Sequence, residues 1–264
     1  MVKKFNSKNR YTWLIVAIII VLVYWWSFQG ISFSGIKDSA GDVVKSICNG
    51  LIHPDWKYIY DGSGEDLTSL IVQTLAIAFL GTFISALLSI PFAFWAAHNS
   101  KEIIGHPRSN SGKIILTVIR TFPEIVLAIM FIKAVGPGSF AGVLAVSIHS
   151  IGMLGKLFSE AIENMDYRAS EALISVGGNR LQVLMMATLP TIMPEFLSYT
   201  LYRFEIAVRS ASILGMVGAG GIGTPLLFAI QTRNWSRMGI ILIGIIIMVT
   251  MIDWISGNLR KKLA

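Results

Sequence analysis

Six stretches of the chain are apolar for about the 20 residues that a helix needs to cross a bilayer core. They run over 12–29, 67–97, 114–135, 140–158, 191–210 and 236–257. The second is long enough to include an interfacial portion, and Pro91 is placed to kink it. Between the first two lies a polar stretch, 30–66, with Asp38, Asp42, Asp55, Asp61, Glu65 and Asp66 against three lysines. Its apolar Ile47, Leu51, Ile52 and Trp56 fit a short helix at the membrane surface. A different pattern fills 159–190. Ile162, Met165, Ala169, Ala172, Leu173 and Val176 recur every three or four residues, with Glu160, Glu163, Arg168 and Glu171 largely on other faces. That periodicity predicts an amphipathic helix. Gly177-Gly178 then predict a turn, 179–188 a second short helix, and Pro190 the first turn of the next span. The alternative for this stretch is a loop lying on the lipid headgroups.

Composition turns the apolar stretches into membrane spans. Hydrophobic residues fill 54% of the 264 positions and charged residues 14%, against about 25% charged in soluble domains. The net charge of +7 therefore reads as a topology signal rather than a nucleic-acid footprint. Lys3, Lys4, Lys8 and Arg10 precede the first span, Lys101, Arg108 and Lys113 fall in the second connection, and Arg260, Lys261 and Lys262 close the chain. Six alternating spans put all three groups on one side, which the positive-inside rule makes cytoplasmic. Both termini and 159–190 then face the cytoplasm, and 30–66 and 211–235 face outward. The apolar run after MVKKFNSKNR has 18 residues, longer than the roughly 15 that bound a signal peptide's core, so it reads as a retained helix.

Candidate chemistry is sparse. The single cysteine, Cys48, excludes an intrachain disulfide and a cysteine-based metal cluster. His53, His98, His106 and His149 show no metal-ligand spacing, and His149 reads as a core histidine. No cluster of acids, histidines or nucleophile and base appears, so neither a catalytic nor a metal site is expected. The charges inside the spans are the exception. Arg120 and Glu124 sit in the third, and Arg203, Glu205 and Arg209 in the fifth. Each costs about 2.5–3.5 kcal/mol near a span's centre, so such residues mark either pairing or a watery path. Arg120/Glu124 and Glu205/Arg209 are each four apart and could pair along one helix face. They could equally line a path that attracts anions, since arginine's fork suits phosphate geometry. Arg203 has no obvious partner and is open to an interface or to snorkelling; Lys133 and Lys156, near helix ends, fit snorkelling.

Gly218-Ala-Gly220-Gly221-Ile-Gly223 satisfies the dinucleotide pattern G-x-G-x-x-G, but a membrane helix precedes it and the first downstream acid is Asp253, so nucleotide binding is rejected. Two readings stay open: non-helical backbone that lines a cavity or packs within protein, or close helix packing through small residues.

The spacing within 169–190 carries a resemblance. Glu171-Ala172, Gly177 six residues after the glutamate, and Leu189-Pro190 at eighteen and nineteen resemble the EAA signature of ABC importer permeases; Leu173 and Ala187 depart from it by apolar substitution. RTFPEIVLAIMF (120–131), GPGSFAGVLAVSIHSIGMLGKLFSEAIENMD (136–166) and LGMVGAGGIG (214–223) are similar to the permeases of phosphonate importers. The resemblance runs from about residue 67 to the end. It implies an all-α type I ABC importer permease with an anchor helix and outer stretch in 1–66, a transmembrane domain in 67–264 and a coupling elbow in 159–190. Glu171, Ala172, Gly177, Leu189 and Pro190 would meet a dimeric cytoplasmic ATPase. Because one chain carries one elbow and family importers use two, a homodimer is expected, fed by an extracytoplasmic substrate-binding protein in a prokaryotic cell membrane. Arg120, Glu124, Glu205 and Arg209 would line the path of a phosphonate or related phosphorus oxyanion; phosphite, phosphate and methionine are the alternatives. No Walker A motif is present: Gly152-Met-Leu-Gly155-Lys156-Leu157 lacks the spacing and the Ser/Thr. No cofactor is expected on this chain, and ATP with its magnesium belongs to the partner. A secondary transporter would need internal repeats or coupling-ion carboxylates in broken helices; no repeat is visible, and only Glu124 and Glu205 could serve. A membrane enzyme lacks its catalytic cluster.

Overall fold

The computed structural model describes residues 7–29, 40–62, 64–98 and 109–263. Lys3, Lys4, Asp38, Lys101, His106 and Arg108 lie outside the described residues. The described chain is helical throughout: α1 (Ser7–Gln29), α2 (Ala40–Ile52), a 3-10 turn at Trp56–Ile59, α3 (Leu67–Ala96), α4 (Ser109–Thr121), α5 (Glu124–Val135), α6 (Ser139–Asn164), α7 (Arg168–Ser175), α8 (Arg180–Val183), α9 (Leu189–Leu214), α10 (Gly223–Gln231) and α11 (Trp235–Leu263). Two units divide it, 1–46 and 47–264. In the first, α1 runs for 23 residues, and its segment Trp13–Gln29 is apolar.

Four helices of the second unit are long and apolar enough to cross a membrane: Leu67–Ala96, Ser139–Asn164, Arg180–Val217 and Trp235–Leu263. The expected third span, 114–135, is instead a pair of helices, Ser111–Thr121 and Glu124–Val135, meeting at 80°. The reason is local. Pro123 has no N–H to continue the ladder and biases Phe122 away from helical backbone, so the chain turns there. Pro91 does not act this way; α3 runs through it without a break.

Small residues hold the spans together. One stripe of α3 buries Thr74, Ala78, Gly81, Ser85, Ser89, Ala93 and Ala96, and α6 buries Ala141, Gly142, Ala145, Gly152, Gly155 and Ser159. A Cβ on Gly81 would stand 2.6 Å from a Val146 methyl, and one on Gly155 2.6 Å from Leu116. In lipid, apolar side chains gain little by leaving one hydrocarbon for another, so close van der Waals approach does the work. A central cluster joins Ile77 and Ala78 of α3, Leu127 and Ala128 of α5, Val146 of α6, Val208 and Ala211 of α9, and Met248 of α11. A second, near the elbow, stacks Phe158 on Phe196 with ring centroids 4.0 Å apart.

The amphipathic helix expected from Ile162 to Val176 is not one helix. α6 continues to Asn164, and Met165-Asp166-Tyr167 interrupt it before α7 begins. Ile162 and Met165 are buried at the end of the span, so their apolar character reflects the core rather than the elbow's face.

Candidate functional site

The elbow is built by a helix stop and a helix start. At the end of α7 the Gly177 N–H donates to the Ile174 carbonyl at 3.0 Å, and the Gly178 N–H to the Leu173 carbonyl at 2.9 Å. This double closure is the Schellman motif, which requires left-handed backbone at its first post-helical residue. Gly177 supplies it with φ +84. Nothing lies within 4 Å of where a Cβ on Gly177 would stand, whereas one on Gly178 would meet the Leu173 carbonyl at 2.8 Å. The next helix starts on a capping box. The Gln182 N–H donates to Asn179 Oδ1 at 2.9 Å and the Asn179 N–H to Gln182 Oε1 at 2.8 Å, so two N–H groups left over at a helix start are satisfied reciprocally.

From Arg180 the helix is continuous to Val217. Leu184–Thr188 form one π turn, closed by the Leu189 N–H on the Leu184 carbonyl. Pro190 follows in the first α turn beyond it, where its missing N–H removes a ladder bond. At the elbow's near end Arg168 Nη2 lies 2.6 Å from Asp166 Oδ2. Hydrogen bonds from the Arg168 side chain and backbone hold the Asp166 carboxyl below the ordinary carboxylate range. The anchored side of the elbow includes buried Ser170, Val183 and Ala187. The open side presents Glu171 and Ala172, together with Ile174, Val176, Leu181, Met185 and Met186; Val176 is 83% and Met186 70% exposed. Flexible methionines beside aliphatic residues make a surface able to meet another protein.

The charges inside the spans are not paired along their own helices. Arg120 and Glu124 fall on opposite sides of the 80° bend, which removes the i,i+4 geometry. Glu124, in the first turn of α5, instead accepts from Arg203 Nη2 at 3.2 Å. Arg203 is 1% exposed; its Nε donates to Ser150 Oγ at 2.7 Å, and its Nη1 lies 4.0 Å from the Met153 sulfur. The residue left without a partner by the sequence is thus the most completely enclosed cation among the described residues, tying α5, α6 and α9 together. Glu205 accepts from Arg260 of α11 at 2.5 Å, and Arg209 reaches both oxygens of Asp253 at 2.6 Å. His149 Nδ1 stands 3.1 Å from the Phe122 carbonyl at the bend; a carbonyl only accepts, so that nitrogen donates. Arg120 is exposed and has no hydrogen-bond or ion-pair partner among the described residues. Lys156 lies 3.5 Å from Glu160, and Lys113 2.7 Å from Glu163. Sequence spacing missed Ser150, Asp253 and Arg260. A signal for Asp253 existed: a lone acid in the apolar last helix must find a partner.

The glycine segment ends α9. Gly218, Gly220 and Gly221 all have positive φ, and the backbone is held from neighbouring elements. The Gly221 N–H donates to Gln73 Oε1 at 3.1 Å, the Ile222 N–H to Thr74 Oγ1 at 2.9 Å, and the Gly138 N–H to the Gly218 carbonyl at 2.9 Å. A Cβ on Gly220 would stand 2.8 Å from Ser139, and one on Gly221 2.6 Å from Thr74. Non-helical backbone here is packed within protein and also lines a cavity of about 640 Å³ with Tyr58, Gln73, Thr224 and Arg237, so the first of the two readings describes it. Arg237 lies over the Tyr58 ring at 4.0 Å.

Comparison with known proteins gives this geometry a setting. The chain is 40% identical over 192 residues to the phosphite transport system permease protein PtxC of Stutzerimonas stutzeri, covering 72% of this chain and 69% of that protein. It is 40% identical over 205 residues to the phosphate-import permease protein PhnE of Mycolicibacterium smegmatis (strain ATCC 700084 / mc(2)155), covering 77% of this chain but only 38% of that longer protein. Among solved structures, a chain of the inward-facing MetNI methionine ABC transporter matches with a TM-score of 0.64 at 19% identity, over 75% of this chain and 96% of its own; that likeness establishes the fold. With residues 89–264 matching the family's profile, the chain belongs to the binding-protein-dependent transport system inner membrane component family.

Proposed function

We propose that the chain is the membrane permease of an ATP-driven importer that carries a phosphonate or a related phosphorus oxyanion into the cell by alternating access. Two copies form the path, a dimeric cytoplasmic ATPase drives it, and an extracytoplasmic binding protein delivers substrate. The carrying observation is the 40% identity to a phosphite permease over 192 residues, joined to an elbow whose open side is apolar and whose core side is anchored. Glu171, Ala172, Gly177, Leu189 and Pro190 couple that elbow to the ATPase. ATP binding draws the two elbows together, and each moves the continuous helix Arg180–Val217 with it. Arg120 faces the path, while Glu124, Glu205 and Arg209, tied to Arg203, Arg260 and Asp253, set the charge along its walls. Both termini and the elbow face the cytoplasm, and 30–66 and 211–235 face outward.

The test is uptake by the whole transporter, the permease reconstituted in proteoliposomes with its ATPase and binding protein. ATP-dependent entry of methylphosphonate, phosphite or phosphate is expected. Entry without ATP would make the chain a secondary transporter, and entry of methionine alone would replace the substrate class. Orientation is read separately. Cys48 is exposed and should react with an impermeant thiol reagent in intact cells; labelling of Ser175→Cys from outside would invert the topology.

A further inference from the structure

We propose that the Arg120 guanidiniums of two copies of this chain face each other across the path and together form one transient site for a phosphorus oxyanion at the middle of the membrane. The inference rests on the transport reading above and adds a residue, a depth and a stoichiometry of one anion per pair.

Depth comes from α6. A Cβ on Gly152 would stand 2.7 Å from the Arg120 backbone nitrogen, and Gly152 lies 13 residues from Ser139 and 12 from Asn164, at the midpoint of that span. The turn carrying Arg120 therefore crosses the middle of the bundle. Its side chain is exposed there, and no described residue pairs with it. Glu124 is held by Arg203 beyond the bend. An arginine at this depth faces an interior, another subunit or a water-filled path, because hydrocarbon leaves it unsolvated. The backbone gives an independent argument. The span unwinds at Phe122–Pro123, and unwound backbone at membrane depth is stable only inside protein or beside a watery cavity.

The family uses two permease subunits, and in a symmetric pair a residue on the path recurs across the two-fold axis. Two planar forks match an oxyanion that offers two charged oxygens, each fork taking one edge of the tetrahedron. Without the anion the two cations repel, so the site closes only around its ligand and reopens as the ligand leaves, which suits a conduit that must release what it admits. Arg120 also sits in the last turn of α4, where any cation interacts favourably with the helix carbonyl end. Lysine would serve that end equally well; only the fork separates the two roles.

The reconstituted transporter tests this with Arg120→Lys. The complex should assemble to the wild-type level, while the concentration of methylphosphonate needed for half-maximal uptake rises about tenfold or more, the loss expected for one charged hydrogen bond. Arg120→Cys, in a Cys48→Ser background, should be joined between copies by a short bis-thiol reagent in a yield that changes with the nucleotide state of the ATPase. Unchanged uptake by Arg120→Lys overturns the inference, as does failure of that variant to assemble, which would assign the residue to structure. An Arg120→Cys complex that is never joined in any nucleotide state overturns it too. Wild-type complexes that move no phosphorus oxyanion instead defeat the transport reading, before any variant is compared.

Discussion

Gly177 and Gly221 have nearly the same backbone, φ +84 and +81, and opposite surroundings. Around Gly177 a side chain would find open space; at Gly221 it would strike Thr74 at 2.6 Å. The Gly221 turn needs glycine for conformation and for room, because Gln73 binds its N–H and Thr74 that of Ile222. The elbow turn needs glycine for conformation alone. A substitution at Gly221 therefore disturbs packing as well as backbone, whereas one at Gly177 disturbs backbone alone.

The sharpest way to break this comparison is to load both sides. Arg203→Gln belongs with the enclosed side and should have the largest effect, a loss of about 3–5 kcal/mol as the half-buried Glu124 loses the buried cation that pairs with it. The readout is folded permease in detergent, and Arg203→Gln with Glu124→Gln should recover much of it. Gly221→Ala combines positive-φ strain with a clash and should lose about 2–4 kcal/mol, seen as a lowered midpoint of thermal unfolding. Gly177→Val should lose about 1–3 kcal/mol through strain alone, with the protein inserted at near-normal level and uptake abolished. Equal damage to protein level by Gly177→Val and Gly221→Ala would erase the distinction. Glu171→Lys should change stability by only about 0.5 kcal/mol while weakening retention of the ATPase on purification. The smallest effect belongs to Asp166. Its carboxyl pKa is lowered by Arg168, so the pair's contribution is present above the ordinary carboxylate pKa and lost as pH falls through the lowered value. Asp166→Asn should remove that pH dependence, lowering stability slightly at neutral pH and leaving it unchanged in acid.

Much of this was legible in one dimension. Hydrophobic runs located α3, α6, α9 and α11, and Gly177-Gly178 located the turn of the elbow. The bend at Phe122–Pro123 was hidden because apolar residues continue on both sides, so hydropathy sees one span where proline makes two helices. The charge pairs were hidden for a related reason. Spacing of four proposes partners along a helix, but Glu205 finds Arg260 and Arg209 finds Asp253 across an interface that only tertiary packing creates. The start of the amphipathic helix was misplaced at Ile162 instead of Arg168 because a buried span terminus and an elbow face share a three-to-four-residue period.

The π turn at Leu184–Thr188 gives the long helix a further property. Arg180–Val217 is a rod of 38 residues, about 57 Å at 1.5 Å per residue, with the elbow at one end and the glycine turn at the other. A π turn takes one residue more than an α turn, so it sets the angular phase between the elbow's open side and the buried side of α9. Removing one residue there would turn the elbow by about 100° about the rod's axis, leaving every span and every charge pair intact. The gear would still be present, with its teeth facing the wrong way.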